Sequence, residues 1–285
     1  MTALLHAAPR GVLFLRAELG KLGAFLRRDF LIAWSYRLAF VSEWAGLALQ
    51  AVTFYFVGKM IDPSVLPAYG GSPATYMEFV AIGIAMTAFV QLALSRVGHG
   101  LRGEQVQGTL ESLLMTPTSP TTIQLGTVFY DVLYIPLRTA VFLVLVGLAF
   151  GLDFHTDGFV PALVVLFAFI PFVWGLGVAN AGFLLTFRRG GGAAALLFTM
   201  LALFSGAFFP LDLLPGWLQG AAELNPIAIA IEGMREPLLG GTGWEGVGSD
   251  LLVLLPLSIV SLAAGLLVFR AALRRERRRG SLGLY

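Results

Sequence analysis

Long apolar runs separated by short polar segments form the dominant pattern along the chain. A helix needs roughly 20 apolar residues to cross about 30 Å of hydrocarbon. Six runs therefore predict six transmembrane helices: 38–61, 76–97, 121–150, 159–187, 193–209 and 251–269. The fifth run is the shortest, about 25 Å as a helix, and it crosses only with some local thinning of the bilayer.

The segment before the first span, residues 11–30, has an amphipathic pattern. Its apolar residues follow helical spacing, and basic residues occupy the other positions. The stripe consists of Leu15, Leu19, Leu22, Leu26 and Phe30. This pattern predicts a helix lying in the plane of the cytoplasmic interface. It acts either as a passive anchor or as an element that transmits motion.

A polar segment, residues 98–120, separates the second and third spans. Residues 103–115 have the pattern of an amphipathic helix, which Pro117 and Pro120 end. Val106, Leu110 and Leu113 share one face, and Glu104, Gly108 and Glu111 share the other. Two interpretations stay open. The helix is an ordinary interfacial one, or it docks apolar side chains into the groove of a partner while its carboxylates pair with basic residues there.

The composition limits the class of protein. The chain has 285 residues, of which 57% are hydrophobic and only 13% charged, whereas a soluble domain carries about 25% charged residues. No cysteine is present, which excludes disulfides and thiolate metal sites. The three histidines lie far apart, so we expect neither a metal site nor a cofactor. The start of the chain lacks the order of a signal peptide and is interpreted as mature cytoplasmic sequence.

Lys and Arg are distributed asymmetrically. They concentrate before the first span, after the second and fourth spans, and in the tail 270–285. By the positive-inside rule, these segments are cytoplasmic. The prediction is a multi-pass plasma (inner) membrane protein with both termini in the cytoplasm. It divides into a cytoplasmic segment 1–37, a transmembrane domain 38–269 and a basic tail that contacts anionic lipid rather than nucleic acid.

Polar residues inside the predicted spans are candidate functional residues. They are Glu43, Gln50, Asp131, Arg138 and Asn180. Asp131 and Arg138 are seven residues apart and share a face, and snorkelling or an interhelical ion pair is the favoured interpretation. Asn180 is interpreted as an interhelical hydrogen-bonding residue. Glu43 lies near the cytoplasmic end of its span, so it is a weak candidate for substrate contact.

Two motifs resemble those of type-2 ATP-binding-cassette (ABC) exporter permeases. The string EQVQGTLESLLMTPTSP is similar to the coupling-helix region of that family, with matching positions at Glu104, Gly108, Thr109, Leu110, Glu111, Leu113, Leu114, Thr116 and Pro117. A second match follows the fifth run, at Ser205, Gly206, Phe209, Pro210, Leu214, Pro215, Asn225 and Pro226. The six-span layout with an interfacial helix matches as well.

The resemblance implies an all-α integral membrane fold. It has six transmembrane helices, an N-terminal interfacial helix, a coupling helix within 98–120 and re-entrant helices within 210–250 that form an outer gate. A surface loop lying on the bilayer is the alternative for 210–250. The family implies a non-catalytic permease, a second permease copy as homodimer or heterodimer, and separate ATPase subunits that bind ATP and Mg. The chain itself has no Walker A pattern.

The resulting hypothesis is export of a hydrophobic or amphipathic substrate, such as a drug or a lipid, powered by that ATPase. Export of lipid-linked polysaccharide by the same class of permease is an alternative. A secondary transporter or channel is a weaker one, because few ionisable residues lie deep in the spans. An intramembrane enzyme ranks low because no cluster with metal or acid–base spacing occurs in the sequence.

Overall fold

The computed structural model describes residues 10–106, 115–116, 120–186 and 191–279. Within this part of the chain the structure is helical, apart from one two-stranded antiparallel hairpin. The elements in chain order are α1 (Arg10–Ser35), α2 (Arg37–Gly58), β1 (Ala68–Tyr69), β2 (Ser72–Pro73), α3 (Tyr76–Val106), α4 (Pro120–Phe150), α5 (Phe159–Thr186), α6 (Gly191–Leu203), α7 (Gly216–Glu223), α8 (Pro226–Gly240) and α9 (Val247–Arg279). Short 3₁₀ turns occur at Pro63–Val65, Thr156–Gly158 and Leu211–Leu213.

Local sequence signals explain where two helices begin and one ends. The backbone N–H of Thr75 donates to the Glu78 carboxylate, and the Glu78 N–H donates back to the Thr75 hydroxyl, which is a capping box at the start of α3. Asn225 caps α8 with its side chain, and Pro226 occupies the first helical position. Gly241 ends α8 in the left-handed conformation, at φ 62°.

Five helical segments of the described residues are long and apolar enough to cross a membrane. They are Arg37–Gly58, Tyr76–Arg96, Phe129–Phe150, Thr156–Phe183 and Val247–Ala272. The run 193–209 differs from its prediction as a continuous span, since α6 ends at Leu203 after 13 residues. The chain turns immediately afterwards through Gly206, whose φ of 69° is incompatible with a continuing helix.

Helix α3 is longer than the apolar pattern predicted. It continues through Val106, so Arg96 and Arg102 lie in the helix rather than in a loop after the second span. The apolar run ends at residue 97, but no proline interrupts the residues that follow, and the helix continues although three of them are glycines. Most of the predicted coupling helix, residues 107–114, and also Pro117 lie outside the described residues.

Helix α3 occupies the centre of the bundle. Of its most apolar window, 72% is buried, against 11% for α2 and 17% for α9. The outward faces of α2 and α9 are rich in exposed Leu, Ile, Val and Phe. A soluble protein does not expose such continuous apolar surface. These faces are therefore suited to contact lipid or another hydrophobic surface.

Helices α5 and α9 pack along a seam of small residues. Gly175 lies against the backbone of Ser261 and Leu262, and Gly265 lies against the carbonyl of Gly175. The Ser261 hydroxyl donates to the carbonyl of Phe172 at 3.0 Å. Small residues permit such close backbone approach, which is a common means of joining helices in membranes.

One end of the bundle, called here the hairpin end, carries β1–β2, the connection 151–158 and the turn 241–246. Helix α8 reaches this end, because the backbone N–H of His155 donates to the carbonyl of Leu238 at 2.8 Å and Gly70 lies against Gly240. Tyr69 is buried there, and its burial raises the pKa of the hydroxyl well above its ordinary value, so it stays protonated.

The other end of α8 lies deeper in the bundle. The Asn225 amide donates to the carbonyls of Leu201, at 2.7 Å, and Phe204, at 3.1 Å, where α6 ends. The following turn seats Ala207 against Gly83, about 10 Å along α3 from its first residue. Nine residues of α8 are buried, so α8 is not a surface segment as the alternative interpretation required.

Helix α1 packs against α4 rather than standing alone. The ring of Phe25 is buried, and a Cβ on Gly126 of α4 would lie 2.5 Å from it. The contact with α4 is made by a residue outside the predicted apolar stripe. Phe25 was not assigned to the stripe, and Phe30 is 52% exposed. Helical spacing shows which residues share a face. Which face packs against α4 also depends on α4 itself, where Gly126 leaves room for the Phe25 ring.

Candidate functional site

A cavity of about 880 Å³ lies between five helices. Helices α2, α3 and α6 supply most of its wall, α4 and α5 each contribute one side chain, and Phe208 from the turn after α6 completes it. Lining residues such as Gln91 and Thr199 are exposed, so the cavity is open on one side. Its apolar wall includes Leu47, Leu94 and Phe198.

Four of the five predicted intramembrane polar residues line this cavity. They are Glu43 and Gln50 of α2, Arg138 of α4 and Asn180 of α5. Further polar lining residues were not predicted from the sequence: Ser42, Thr87, Gln91, Ser95 and Thr199. Single polar residues stand out in long apolar runs, whereas hydroxyl residues are too common in transmembrane helices to do so.

A charged cluster lies at the end of the cavity opposite the hairpin end. The Arg96 guanidinium contacts Glu43 at 3.3 Å and Asp131 at 3.4 Å. The Tyr134 hydroxyl lies 3.5 Å from the second oxygen of Glu43. Arg96 therefore joins α2, α3 and α4. The contact of Asp131 with Arg96 joins two helices and so has the form of the interhelical ion pair that the sequence suggested, while no such pair of Arg138 occurs among the described residues.

Arg138 occupies a different environment. It lies seven residues beyond Asp131, about 10 Å further along α4. The residue is only 8% exposed, and its Nε has no hydrogen-bond partner among the described residues. The Oδ1 of Asn180, which also lines the cavity, is likewise buried without a partner in that part of the chain. Buried polar groups are usually satisfied, so both atoms are unusual.

The hydroxyl side chains of the cavity wall point their protons into their own helices. Ser42 donates to the Ala39 carbonyl at 2.8 Å, Thr87 to the Gly83 carbonyl at 2.8 Å, and Thr199 to the Ala195 carbonyl at 2.9 Å. Such back-bonding is common for Ser and Thr in helices. The cavity therefore receives its hydrogen-bond donors from Arg138 and from the amides of Gln50, Gln91 and Asn180.

Aromatic residues close the cavity toward the hairpin end. Phe208 stacks on Phe54 of α2, with ring centroids 5.2 Å apart. The carbonyl of Phe208 accepts a hydrogen bond from the Tyr76 hydroxyl at 3.0 Å. The turn that carries Phe208 is thus attached to the first residue of α3 and to the end of α2, so this closure depends on two helices.

Buried Arg235 fastens α8 to the same turn. Its guanidinium donates to the carbonyls of Phe79 and Gly206, each at 2.9 Å, and stacks over the Phe79 ring at 3.5 Å. Glu232 lies 3.5 Å away. Arg235 belongs to the segment 210–250, for which the sequence left an outer gate and a surface loop as alternatives. A lone arginine among apolar residues of a short segment was the available signal for this buried role.

The structure places the predicted outer-gate residues in one region, but none of these six residues lines the cavity. Pro210 and Asn225 are buried, Phe209, Leu214 and Pro226 are half-buried, and Pro215 is exposed. Phe208, which was not predicted, provides the contact with the cavity.

Only part of the predicted coupling helix can be placed. Glu104 and Val106 lie in the last turns of α3, and Thr116 is exposed. Gly108, Thr109, Leu110, Glu111, Leu113, Leu114 and Pro117 lie outside the described residues. No group of three His, Cys, Asp or Glu side chains with metal-binding geometry occurs in the described part of the chain.

Comparison with known proteins identifies the class. Residues 21–239 match the family described as ABC-2 type transporter. Over 192 residues the chain is 30% identical to the inner membrane transport permease YadH of Escherichia coli (strain K12), an alignment that covers 66% of this chain and 73% of YadH. The daunorubicin resistance ABC transporter permease protein DrrB1 of Streptomyces coeruleorubidus is 28% identical over 192 residues, covering 65% of this chain and 66% of DrrB1.

The chain therefore belongs to the ABC-2 type transporter family. It is a transmembrane permease of an ABC transporter, a subunit without catalytic activity, and ATP is hydrolysed by a separate subunit. The apolar helices agree with this class, because a multi-pass membrane protein requires them.

Proposed function

We propose that this permease exports a hydrophobic or amphipathic molecule from the cytoplasm or the inner leaflet, driven by a separate ABC ATPase. The observation that carries the proposal is the cavity between α2, α3 and α6. Its volume of about 880 Å³ falls within the range of small-molecule sites, about 300–1,000 Å³. A wall of apolar side chains with a few polar groups fits a molecule that is itself amphipathic. The name of DrrB1, a drug-resistance permease, supports the same class of substrate.

The proposed topology has six crossings in the inner membrane, with both termini in the cytoplasm. Helix α6 and the turn through Phe209 make the fifth crossing, and α7 and α8 form a re-entrant pair on the outer side. The depth of Asn225, beside the end of α6, supports this arrangement. Non-helical backbone at such depth is tolerated where it is buried in protein, as the turn 204–209 largely is. The asymmetry of basic residues supports the orientation.

The proposed contact with the ATPase is the segment from Glu104 to Pro117. Apolar residues of this segment dock into a groove of the ATPase, and Glu104 and Glu111 pair with basic residues there. Nucleotide and Mg bind the ATPase and not this chain. The cavity, the charged cluster of Arg96 and the proposed contact follow one another along α3.

The proposed assembly contains two permease copies. The cavity is open on one side, and the outward face of α2 beside it is apolar and exposed. A second copy on this side would complete the cavity wall and cover that face. Two copies also provide one coupling segment for each of two ATPase subunits.

The test uses the permease reconstituted with its ATPase in vesicles whose ATPase subunits face outward. A panel of fluorescent amphiphiles is offered outside, and accumulation inside the vesicles is measured. We expect accumulation that requires ATP and stops when the ATPase carries an inactivating Walker A substitution. The matched permease control is Ala202→Phe, which places a ring in the cavity. Transport by the permease alone, driven by a proton gradient, would contradict the proposal.

A further inference from the structure

The charges around the cavity are not all paired. Arg96 contacts both nearby carboxylates, those of Glu43 and Asp131. Tyr134 supplies a further contact to Glu43. Both acids therefore have an ionic partner in the protein, although the buried Oδ1 of Asp131 makes no hydrogen bond among the described residues. Arg138 is the charge that has no ion pair among the described residues, and it faces the cavity.

An unpaired buried arginine is costly, and an arginine cannot avoid the cost by losing its proton. Arg138 as a residue is 92% buried, given its exposure of 8%, and its Nε is buried without a hydrogen bond among the described residues. A structural arginine in this fold is satisfied in a different way, since Arg235 donates to backbone carbonyls of its neighbours. The contrast indicates that the partner of Arg138 comes from outside the chain.

The surroundings of Arg138 restrict the chemistry of that partner. Hydroxyls on the wall already donate to their own helices, so they present lone pairs to the cavity rather than protons. The guanidinium is the strongest available donor, and planar oxyanions are its preferred acceptors. The apolar remainder of the wall, including Leu47, Leu94 and Phe198, fits a hydrocarbon or aromatic body.

We propose that Arg138 binds the acidic head group of the transported molecule, so that the substrates are amphipathic acids with a carboxylate or phosphate on an apolar body. This inference rests on the proposed function of the cavity as the substrate site. Beyond the proposed function, it states that the substrate is negatively charged, that Arg138 recognises this charge, and that the head group is the end that the permease binds. A neutral or cationic amphiphile of the same shape binds more weakly, because it leaves Arg138 unpaired.

The same chemistry has two sources: an anionic membrane lipid and an amphipathic acid that is not part of the bilayer. The binding experiment separates them. The permease is purified with its ATPase and placed in nanodiscs of phosphatidylcholine, with or without phosphatidylglycerol. Competition by phosphatidylglycerol assigns the site to a lipid head group. Binding that is unaffected by it assigns the site to a free acid, and either result keeps an acidic group at Arg138.

The probes are fluorescent dodecanoic acid, its methyl ester and the corresponding alkyl trimethylammonium. Their dissociation constants are measured by fluorescence titration. We expect the acid to bind the unaltered permease at least about tenfold more tightly than the ester, the scale of one hydrogen bond to a charged group. Arg138→Gln removes this preference, and Arg138→Lys retains part of it. The control Arg270→Gln removes a charge on the exposed tail end of α9 and leaves the preference unchanged.

Two further measurements keep the outcomes distinct. Equal affinities for acid and ester in the unaltered protein overturn the inference, and this comparison does not depend on whether Arg138→Gln folds. Ala202→Phe fills the cavity and is expected to weaken both probes. If it weakens both while the acid has no preference, the cavity is the substrate site and only the role of Arg138 is wrong. If it weakens neither, binding occurs elsewhere and the cavity itself fails as the site.

Discussion

Two buried polar side chains determine how the segment after α6 is held. Asn225 caps α8 and also binds the last carbonyls of α6. Arg235 binds the carbonyls of α3 and of the turn. Together they donate hydrogen bonds to backbone carbonyls that would otherwise be unpaired. An unpaired carbonyl in largely apolar surroundings raises the free energy of the folded state.

Asn225→Ala tests this role. The substitution removes the cap and leaves the carbonyls of Leu201 and Phe204 without their donor. We expect a loss of about 1–3 kcal/mol in the free energy of unfolding, seen as a lower melting temperature in detergent. Asn225→Asp keeps the cap acceptor but has no amide to donate, so it should also be destabilised. A melting temperature equal to that of the unaltered protein in both variants would show that these bonds contribute little.

The charged cluster gives a second prediction at the residue scale. Arg96→Gln leaves Glu43 and Asp131 near each other without their shared cation, so it should lower thermal stability more than Glu43→Gln does. Neutralising both acids as well, with Glu43→Gln and Asp131→Asn, should recover part of the loss. The melting temperatures of the four proteins decide this. No recovery in the triple variant would mean that Arg96 stabilises the helices through packing rather than charge.

Individual residues show what the sequence can predict about the site. Glu43, Gln50, Arg138 and Asn180 were identified because polar residues in apolar runs are expensive, and all four line the cavity. The pattern of apolar and polar residues did not predict how these side chains are arranged in space. The pairing of Asp131 with Arg96 depends on the relative rotation of α3 and α4, which helix packing sets. The role of Phe208 depends on a turn whose position no periodicity indicates.

At the scale of the helices, close packing is concentrated at glycines. Gly265 of α9 contacts the backbone of Gly175 in α5. Gly248 belongs to the same helix α9, but a Cβ there would have no atom within 4 Å. The two positions therefore form a matched pair for separating helix propensity from helix packing.

Gly265→Ala should destabilise the protein, because the added methyl group meets backbone that cannot move without separating the helices. Gly248→Ala should be neutral or slightly stabilising, since Ala is favoured over Gly in helices by about 1 kcal/mol. Thermal unfolding in detergent compares the two. Similar melting temperatures for both variants would be incompatible with the close contact between α5 and α9.

Five of the six apolar runs overlap the five helices of the described residues that are long and apolar enough to cross a membrane, because length and composition are enough for that purpose. The position where α9 starts and the positions where α3 and α6 end were predicted less well from the sequence. Helix α3 extends beyond its apolar run because hydrogen bonding within a helix does not require apolar side chains. Helix α6 ends early for two reasons. Gly206 has a positive φ, and the side chain of Asn225, which is distant in sequence, donates to the Phe204 carbonyl.

At the scale of the whole molecule, the proposed link to the ATPase can be broken without touching the cavity. Charge reversal at Glu104 or Glu111 should leave ATP hydrolysis present but reduce ATP-dependent transport, by roughly tenfold or more for the loss of a paired charge at an interface. Hydrolysis and transport are measured on the same reconstituted vesicles. Glu245→Lys, an exposed residue at the hairpin end, is the matched control.

Unchanged transport in the Glu104→Lys and Glu111→Lys proteins would exclude this segment as the point of contact. Loss of both hydrolysis and transport together with loss of ATPase co-purification would instead show that the charges are needed for assembly. The control separates a specific effect from a general effect of added positive charge.

The uninterrupted course of α3 has a mechanical consequence. The helix has 31 residues and no proline, so it runs about 46 Å without a break, with three of its glycines, Gly98, Gly100 and Gly103, in the last turns. Val106 lies at one of its ends, and the turn that bears on Gly83 lies near the other. In the proposed mechanism, a tilt of α3 at its Val106 end would displace the turn that carries Phe208, because that turn packs against Gly83 near the other end of the helix. In the proposed orientation, a push from the ATPase side would thereby reach the opposite side of the membrane.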